Sequence, residues 1–404
     1  GPSRAATTVA ASRTPVATPR IVAAARGSHR PGDTGSVGAA PLDRIRQAIA
    51  RRGPITFAEF MEEALYGEGG FYADPPVGAG RHFVTSPHVH PVFATLLARA
   101  LREAWEAMGR PDPFPVVEVG AGDGTLARAL LDELADLPVR YAAVERSPGA
   151  REALLALGLA AVADDIGRAG PIRDGVVLAN ELLDNLPFRL VRRRPEGMVE
   201  VLVGEGSAGL VEVEVPCPPE LAAIAPNLAP GEEAAIPTGG LALVDALAGI
   251  LVRGYALLID YGSAEGGSPG PVHGYRGHRV VERVLDDPGR SDVTAGVDFR
   301  AVSDRARAAG LRVLGLLDQR QALLALGFEG WIREQLRRQR ELLDQGRGLE
   351  AVRAWGGRSR ATLLVEPTGL GRLRWLVLAT PGLPAPSWLG RDGGRRTTDR
   401  PAGR

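Results

Sequence analysis

The chain has 404 residues, 45% of them hydrophobic and 24% charged, which suffices to bury a full core and to carry elements beyond one standard domain. Its 48 basic and 48 acidic residues cancel, so no net field recruits nucleic acid or an anionic membrane. A single cysteine, Cys217, rules out an intrachain disulfide and a cysteine zinc site, and no apolar run approaches the ~20 residues of a membrane span, so a cytoplasmic protein with neither nucleic acid nor membrane as partner is expected.

Residues 1–40 are rich in Ala, Thr, Pro, Gly and Arg, hold no acid before Asp33, and read as a disordered tail. The composition is also that of an organellar transit peptide, but the amphipathic apolar stripe of such a leader is missing. Beyond it, Leu42, Ile45 and Ile49 make a helical stripe, and Thr56 with Glu59 spells a capping box, so residues 41–110 read as an N-terminal helical lobe. It includes a Gly/Pro-broken loop, "GAGRHFVTSPHVHPVF", and a helix carrying Phe93, Leu97, Leu101 and Trp105.

In "VVEVGAGDGTLARAL" an apolar run leads into Gly120, Gly122 and Gly124, and Leu126, Leu130 and Leu134 then recur at helical spacing. A glycine-rich strand-to-helix turn is where α/β folds bind nucleotides, because bare backbone admits positive φ and close approach. The third glycine comes one residue too early for the dinucleotide fingerprint. Glu118 and Asp123 would repel a pyrophosphate but favour an amine and a sulfonium, which points to S-adenosyl-L-methionine as the cofactor.

Strand-like runs then alternate with helices, ending at Glu145, Asp165, Glu181 and Gly262, which predicts an α/β fold with a mostly parallel, Rossmann-like sheet. "MVEVLVG" and "LVEVEVP" predict a β-hairpin lobe inserted at about 190–250, within a core spanning 111–385, and "LRVLGLLDQ" with "LRWLVLA" forms a late strand pair. Residues 386–404 read as a second tail. Ligands of such sheets lie outside the carboxyl ends of the strands, and here each end is acidic. Glu145 stands where a carboxylate grips a ribose diol, and a capping or solvated acid is the alternative. Asp164 or Asp165 suits either an adenine amino group or the cap of the next helix.

Separated motifs, "ITFAEFMEEALYGEGGFY", "VLANELLDNLPF", "LLIDYG", "YRGHR" and "DPGRSDVTAGVDF", together with the cradle, resemble the MidA-like class I methyltransferases over about residues 42–380. That family includes a mitochondrial complex I assembly factor that methylates an arginine of a partner subunit. The resemblance implies a cofactor pocket of Glu118, Gly120, Gly122, Gly124 and Glu145, with Asn180 and Glu181 at the methionine end and Thr85 and Ser86 closing it. It also implies a protein substrate presenting an arginine; a small-molecule acceptor, a non-catalytic binding role and a homodimer stay open. Glu181 and Asp184 would share one face if "NELLD" is helical, a pair suited to a planar guanidinium, though Asp184 equally serves the turn before Pro187. Tyr261 and His278 are further candidates for orienting substrate or taking a proton, though His278 reads first as a structural histidine. His82, His88 and His90 replace the acids or serine usual in the family loop; three histidines without a carboxylate partner read as a retuned loop, and no metal is expected. Asp292 and Asp298 match family positions, and their spacing says only turn and cap.

Overall fold

The computed structural model describes residues 40–73, 85–264, 271–276, 279–281 and 283–390. The apolar runs form one seven-stranded sheet of β1 (Phe114–Val119), β2 (Val139–Val144), β3 (Ala161–Ala163), β4 (Ile172–Asn180), β5 (Leu251–Asp260), β6 (Arg312–Asp318) and β7 (Arg374–Ala379). The spatial order is β6-β7-β5-β4-β1-β2-β3. β1 to β5 are parallel, and β7 runs antiparallel between β5 and β6. Val176 to Ala179 on β4 and Tyr255 to Ile259 on β5 are buried without alternation, as befits strands covered on both faces.

Among the helices are α1 (Pro41–Arg52), α2 (Val92–Ala107), α3 (Thr125–Glu133), α4 (Pro148–Leu155), α5 (Thr238–Ile250) and α6 (Phe299–Ala308). Phe93, Leu97 and Leu101 of α2 join Leu126 and Leu130 of α3 on one face of the sheet. Leu243, Val244 and Leu247 of α5 join Phe299 and Val302 of α6 on the other. Strand order reverses between β1 and β4, which opens a crevice at their carboxyl ends.

Three boundaries differ from the sequence reading. α2 packs on the central sheet, so it belongs to the core and not to an N-terminal lobe. α5 does likewise, so the insertion stops near residue 237 instead of 250. The segment expected as a tail from 386 stays packed as far as Leu389, because Trp388 is buried edge-on against Trp375 at 5.9 Å between ring centroids.

The insertion is also more than a hairpin. Arg189–Arg194, Gly197–Gly206, Gly209–Pro216 and Glu233–Ile236 form an antiparallel sheet that takes in Ile55–Thr56 from the N-terminal segment. Ile45, Ile49, Phe57, Phe60 and Leu65 share one apolar cluster with Phe188, Leu190, Val201 and Val203, and Phe57 stacks on Phe188 at 5.4 Å. N-terminal segment and insertion are therefore one lobe. The Thr56 capping box forms, and a π-helical turn, Glu62–Tyr66, follows the short helix that it starts.

Candidate active site

The three glycines of the cradle all have positive φ, of 75°, 55° and 77°, but they face different surroundings. A Cβ on Gly120 would meet the Leu182 side chain at 2.8 Å, and one on Gly124 would meet Leu157 at 2.6 Å and Leu154 at 3.0 Å. A Cβ on Gly122 would meet nothing within 4 Å. Gly120 and Gly124 thus permit close packing of the turn, and Gly122 opens onto a cavity of about 820 Å³, a size suited to a cofactor and part of its co-substrate.

At the tip of β2, Glu145 is held by two backbone donors, Gly122 N–H at 2.9 Å and Ser147 N–H at 2.8 Å. Asp164 and Asp165 line the same cavity beyond β3. Asp165 accepts from Gly167 N–H at 2.8 Å and so caps the next turn, while Asp164 pairs with Arg168 at 2.8 Å. Glu118 lies behind the cradle: it is 3% exposed, accepts from the Tyr141 hydroxyl at 2.7 Å and is not part of the cavity wall. Burial, with the Glu145 and Asp123 charges behind it, pushes its carboxyl up to about 8 against the Tyr141 hydrogen bond.

The segment before α2 closes the cavity from the side. Thr85 lines it; the His88 ring joins Thr85 Oγ1, 2.8 Å from Nδ1, to Asp123 Oδ2, 2.9 Å from Nε2. Burial raises Asp123, but hydrogen bonds from His88 and Thr125 hold its carboxyl below the usual range. Ser86 is fully buried, with its N–H on Glu181 Oε1 at 2.7 Å and its hydroxyl beside Gln319. His90 accepts from Val92 N–H at 3.1 Å and meets Trp331 edge-on. His82 and His278 lie outside the described residues.

Beyond β4 the register differs from a helix. Glu181 has φ of 53°, a left-handed conformation rare for a residue with a side chain, and its N–H donates to Ile259 O at 2.7 Å. The chain turns at once into a 3₁₀ turn, Leu183–Asn185, so Glu181 and Asp184 do not share a helix face. Glu181 and Asn185 line the cavity, and Asp184 does not. Asp184 is 3% exposed, accepts from the Thr294 hydroxyl at 2.9 Å and donates its N–H to Asp260 Oδ2 at 3.1 Å. Burial and the Asp184 charge raise the Asp260 carboxyl well above the ordinary range. Tyr261 packs against the core beyond Asp260, which accepts its N–H at 2.7 Å, and it too lies off the cavity. Asn180 ends β4 behind Glu181, and Asp298 caps α6 through Arg300 and Ala301 N–H.

Several cavity residues escape a reading of the sequence. Glu62, Tyr66 and Tyr72 come from the N-terminal segment, Arg146 follows Glu145, and Asn185, Leu186 and Pro187 follow the 3₁₀ turn. Tyr66 and Tyr72 stack at 5.5 Å; the Tyr66 hydroxyl donates to Asn185 O at 2.9 Å. Buried Asp292 accepts from Tyr72 at 3.0 Å and from Asn185 Nδ2 at 2.8 Å, which ties this wall together. Both tyrosines sit within a motif rich in aromatic residues, the signal that could have marked them.

Comparison with known proteins gives one direction. Over residues 96–317 the chain matches the model of S-adenosyl-L-methionine-dependent methyltransferases called Methyltransf_28. It is 28% identical to the mitochondrial protein arginine methyltransferase NDUFAF7 of Mus musculus over 326 residues, 71% of this chain and 74% of that one. Its identity to the Drosophila melanogaster homolog, also mitochondrial, is 29% over 308 residues, 66% of this chain and 70% of that one. A COG1565 superfamily protein of Burkholderia thailandensis, crystallised with S-adenosyl-homocysteine, superposes with a TM-score of 0.73 at 28% identity, covering 89% of this chain and 98% of its own. The mitochondrial relatives overturn the cytoplasmic placement expected from composition, which registers the lack of a membrane span and says nothing of the compartment. The family model covers more than half of the sequence and the sheet order carries a glycine cradle at its reversal point, and the chain belongs to this family of S-adenosyl-L-methionine-dependent methyltransferases.

Proposed function

We propose that the enzyme methylates an arginine side chain of a partner protein, with Gly120, Gly122, Glu145, Asp164 and Asp165 holding the cofactor and Glu181 facing the acceptor. The donor set fits S-adenosyl-L-methionine: open space over Gly122, a fixed carboxylate at a strand tip for the ribose diol, and two acids beyond the next strand for the adenine. That cofactor supplies an electrophilic methyl group on a positively charged sulfur.

The observation that carries the reading is Glu181, a carboxylate fixed by Ser86 N–H and by an otherwise costly backbone conformation at the cavity wall. A guanidinium has no free lone pair, so a nitrogen must give up a proton as its bond to the methyl carbon forms and the carbon–sulfur bond breaks toward sulfur. Glu181 orients the guanidinium, accepts that proton and offsets charge in a cavity that Leu182, Leu186 and Pro187 line with apolar surface. Relatives named as protein arginine methyltransferases support the acceptor class.

Incubation with methyl-labelled cofactor and a protein extract, followed by acid hydrolysis, tests the reading. Labelled methylarginine is expected; label confined to small molecules overturns it.

A further inference from the structure

The mouth of the cavity already holds a guanidinium, the chain's own. Arg146 meets Glu62 through both terminal nitrogens, Nη1 to Oε2 at 3.1 Å and Nη2 to Oε1. Its Cζ lies 4.2 Å from the centroid of the Tyr66 ring. A carboxylate fork edge-on with an aromatic face beneath is how proteins recognise a planar guanidinium. The seat comes from one element, the π-helical turn Glu62–Tyr66, and its occupant from another, the tip of β2. The Tyr66 hydroxyl rests on the Asn185 carbonyl, so the ring leads from the mouth toward the turn that starts at Glu181.

The seat is poorly sealed. The Arg146 and Glu62 side chains are 44% and 45% exposed, and an ion pair so open to water is weakly held and readily exchanged. We propose that Glu62 and the Tyr66 ring form a guanidinium-binding subsite at the mouth of the methyl-transfer cavity, filled by Arg146 in the free enzyme and taken over by the arginine of the incoming substrate. This rests on the arginine reading above. It gives Arg146 the part of an internal competitor: only acceptors that present a guanidinium displace it, and the seat then passes the cation inward along Tyr66 to Glu181.

The test is calorimetric titration of N-acetyl-arginine amide into the full chain saturated with S-adenosyl-homocysteine. Arg146→Met empties the seat and keeps most of the apolar stem. A seat filled by its own arginine ~80–90% of the time lowers apparent affinity ~5–10-fold, so the variant is expected to bind the probe tighter by that factor. Adding Glu62→Gln should abolish the gain, and N-acetyl-lysine amide should show none. Arg146→Lys, which keeps a cation without the fork, is expected to give a smaller gain and serves if Arg146→Met fails to fold. Unchanged or weaker binding in folded variants saturated with S-adenosyl-homocysteine overturns the subsite, since an ion pair that only joins lobe to core would cost stability and yield no new guanidinium affinity. Probe binding is independent of turnover: a gain without methylarginine from any protein acceptor leaves the subsite standing and overturns the arginine-transfer reading.

Discussion

His88 bridges Thr85 and Asp123, with one ring nitrogen 2.8 Å from the threonine hydroxyl and the other 2.9 Å from the aspartate. The segment before α2 is thereby fastened to the cradle through one imidazole. His88→Ala should loosen that closure and weaken cofactor binding about tenfold, the scale of one charge-assisted hydrogen bond. Calorimetry with S-adenosyl-homocysteine measures it; an unchanged affinity would separate the closure from the cofactor.

The cradle glycines should divide by their surroundings. Gly122→Val places a β-branched side chain in space that the cofactor needs, and affinity should fall on the order of a hundredfold. Gly124→Ala forces a Cβ into Leu157 and Leu154, and its main effect should be on the melting temperature, with ~1–3 kcal/mol lost. Equal losses of stability by the two variants, with equal affinities, would refute the division.

Glu181→Gln keeps shape and removes charge, so turnover should drop by ~10²-fold or more while the fold holds. Asp184→Asn acts elsewhere. It relieves the like charge facing Asp260 within the core, while burial still raises that carboxyl, so the stability lost as pH rises should be smaller than in the parent and turnover should stay within a few-fold of it. Parallel kinetics and melts separate the two acids.

Glu118 sets a pH dependence of stability. Its folded carboxyl titrates near 8, against 4.5 for an ordinary glutamate, so between those values the folded state binds the extra proton. Stability from this group is complete below about 4.5, declines as pH rises and levels off above about 8, a loss of a few kcal/mol at roughly 1.4 per unit. Glu118→Gln should flatten that decline in denaturant titrations run across the interval, and a slope identical to that of the parent would count against it.

Trp388 closes the core beside Trp375, and Trp388→Ala should cost ~3–5 kcal/mol, read as a lower melting temperature.

The sheet, the cradle and the acids at the strand ends were legible because continuous apolar runs, glycine spacing and terminal carboxylates are local signals. The place of Asp184 was not, since it hangs on the left-handed backbone of Glu181, which no propensity for glutamate suggests. Nor were Tyr66, Tyr72 and Arg146: they meet through long-range contacts of the N-terminal segment, among them the pairing of a two-residue strand, Ile55–Thr56, with Leu202 and Val203. So short a strand has no periodicity to read.

That pairing also fixes an order of events during synthesis. Ile55 and Thr56 leave the ribosome long before their partners on Gly197–Gly206 exist, and closing so long a loop yields contacts only late. β1 to β4 precede that strand in the chain, so the floor of the cavity can form while Glu62, Tyr66 and Tyr72 still await the sheet that anchors their lobe. A roofless stage of the nascent enzyme is expected from this order: chains stalled before residue 197 should be cut by protease within residues 40–73 yet resist cleavage there once residue 295 has emerged.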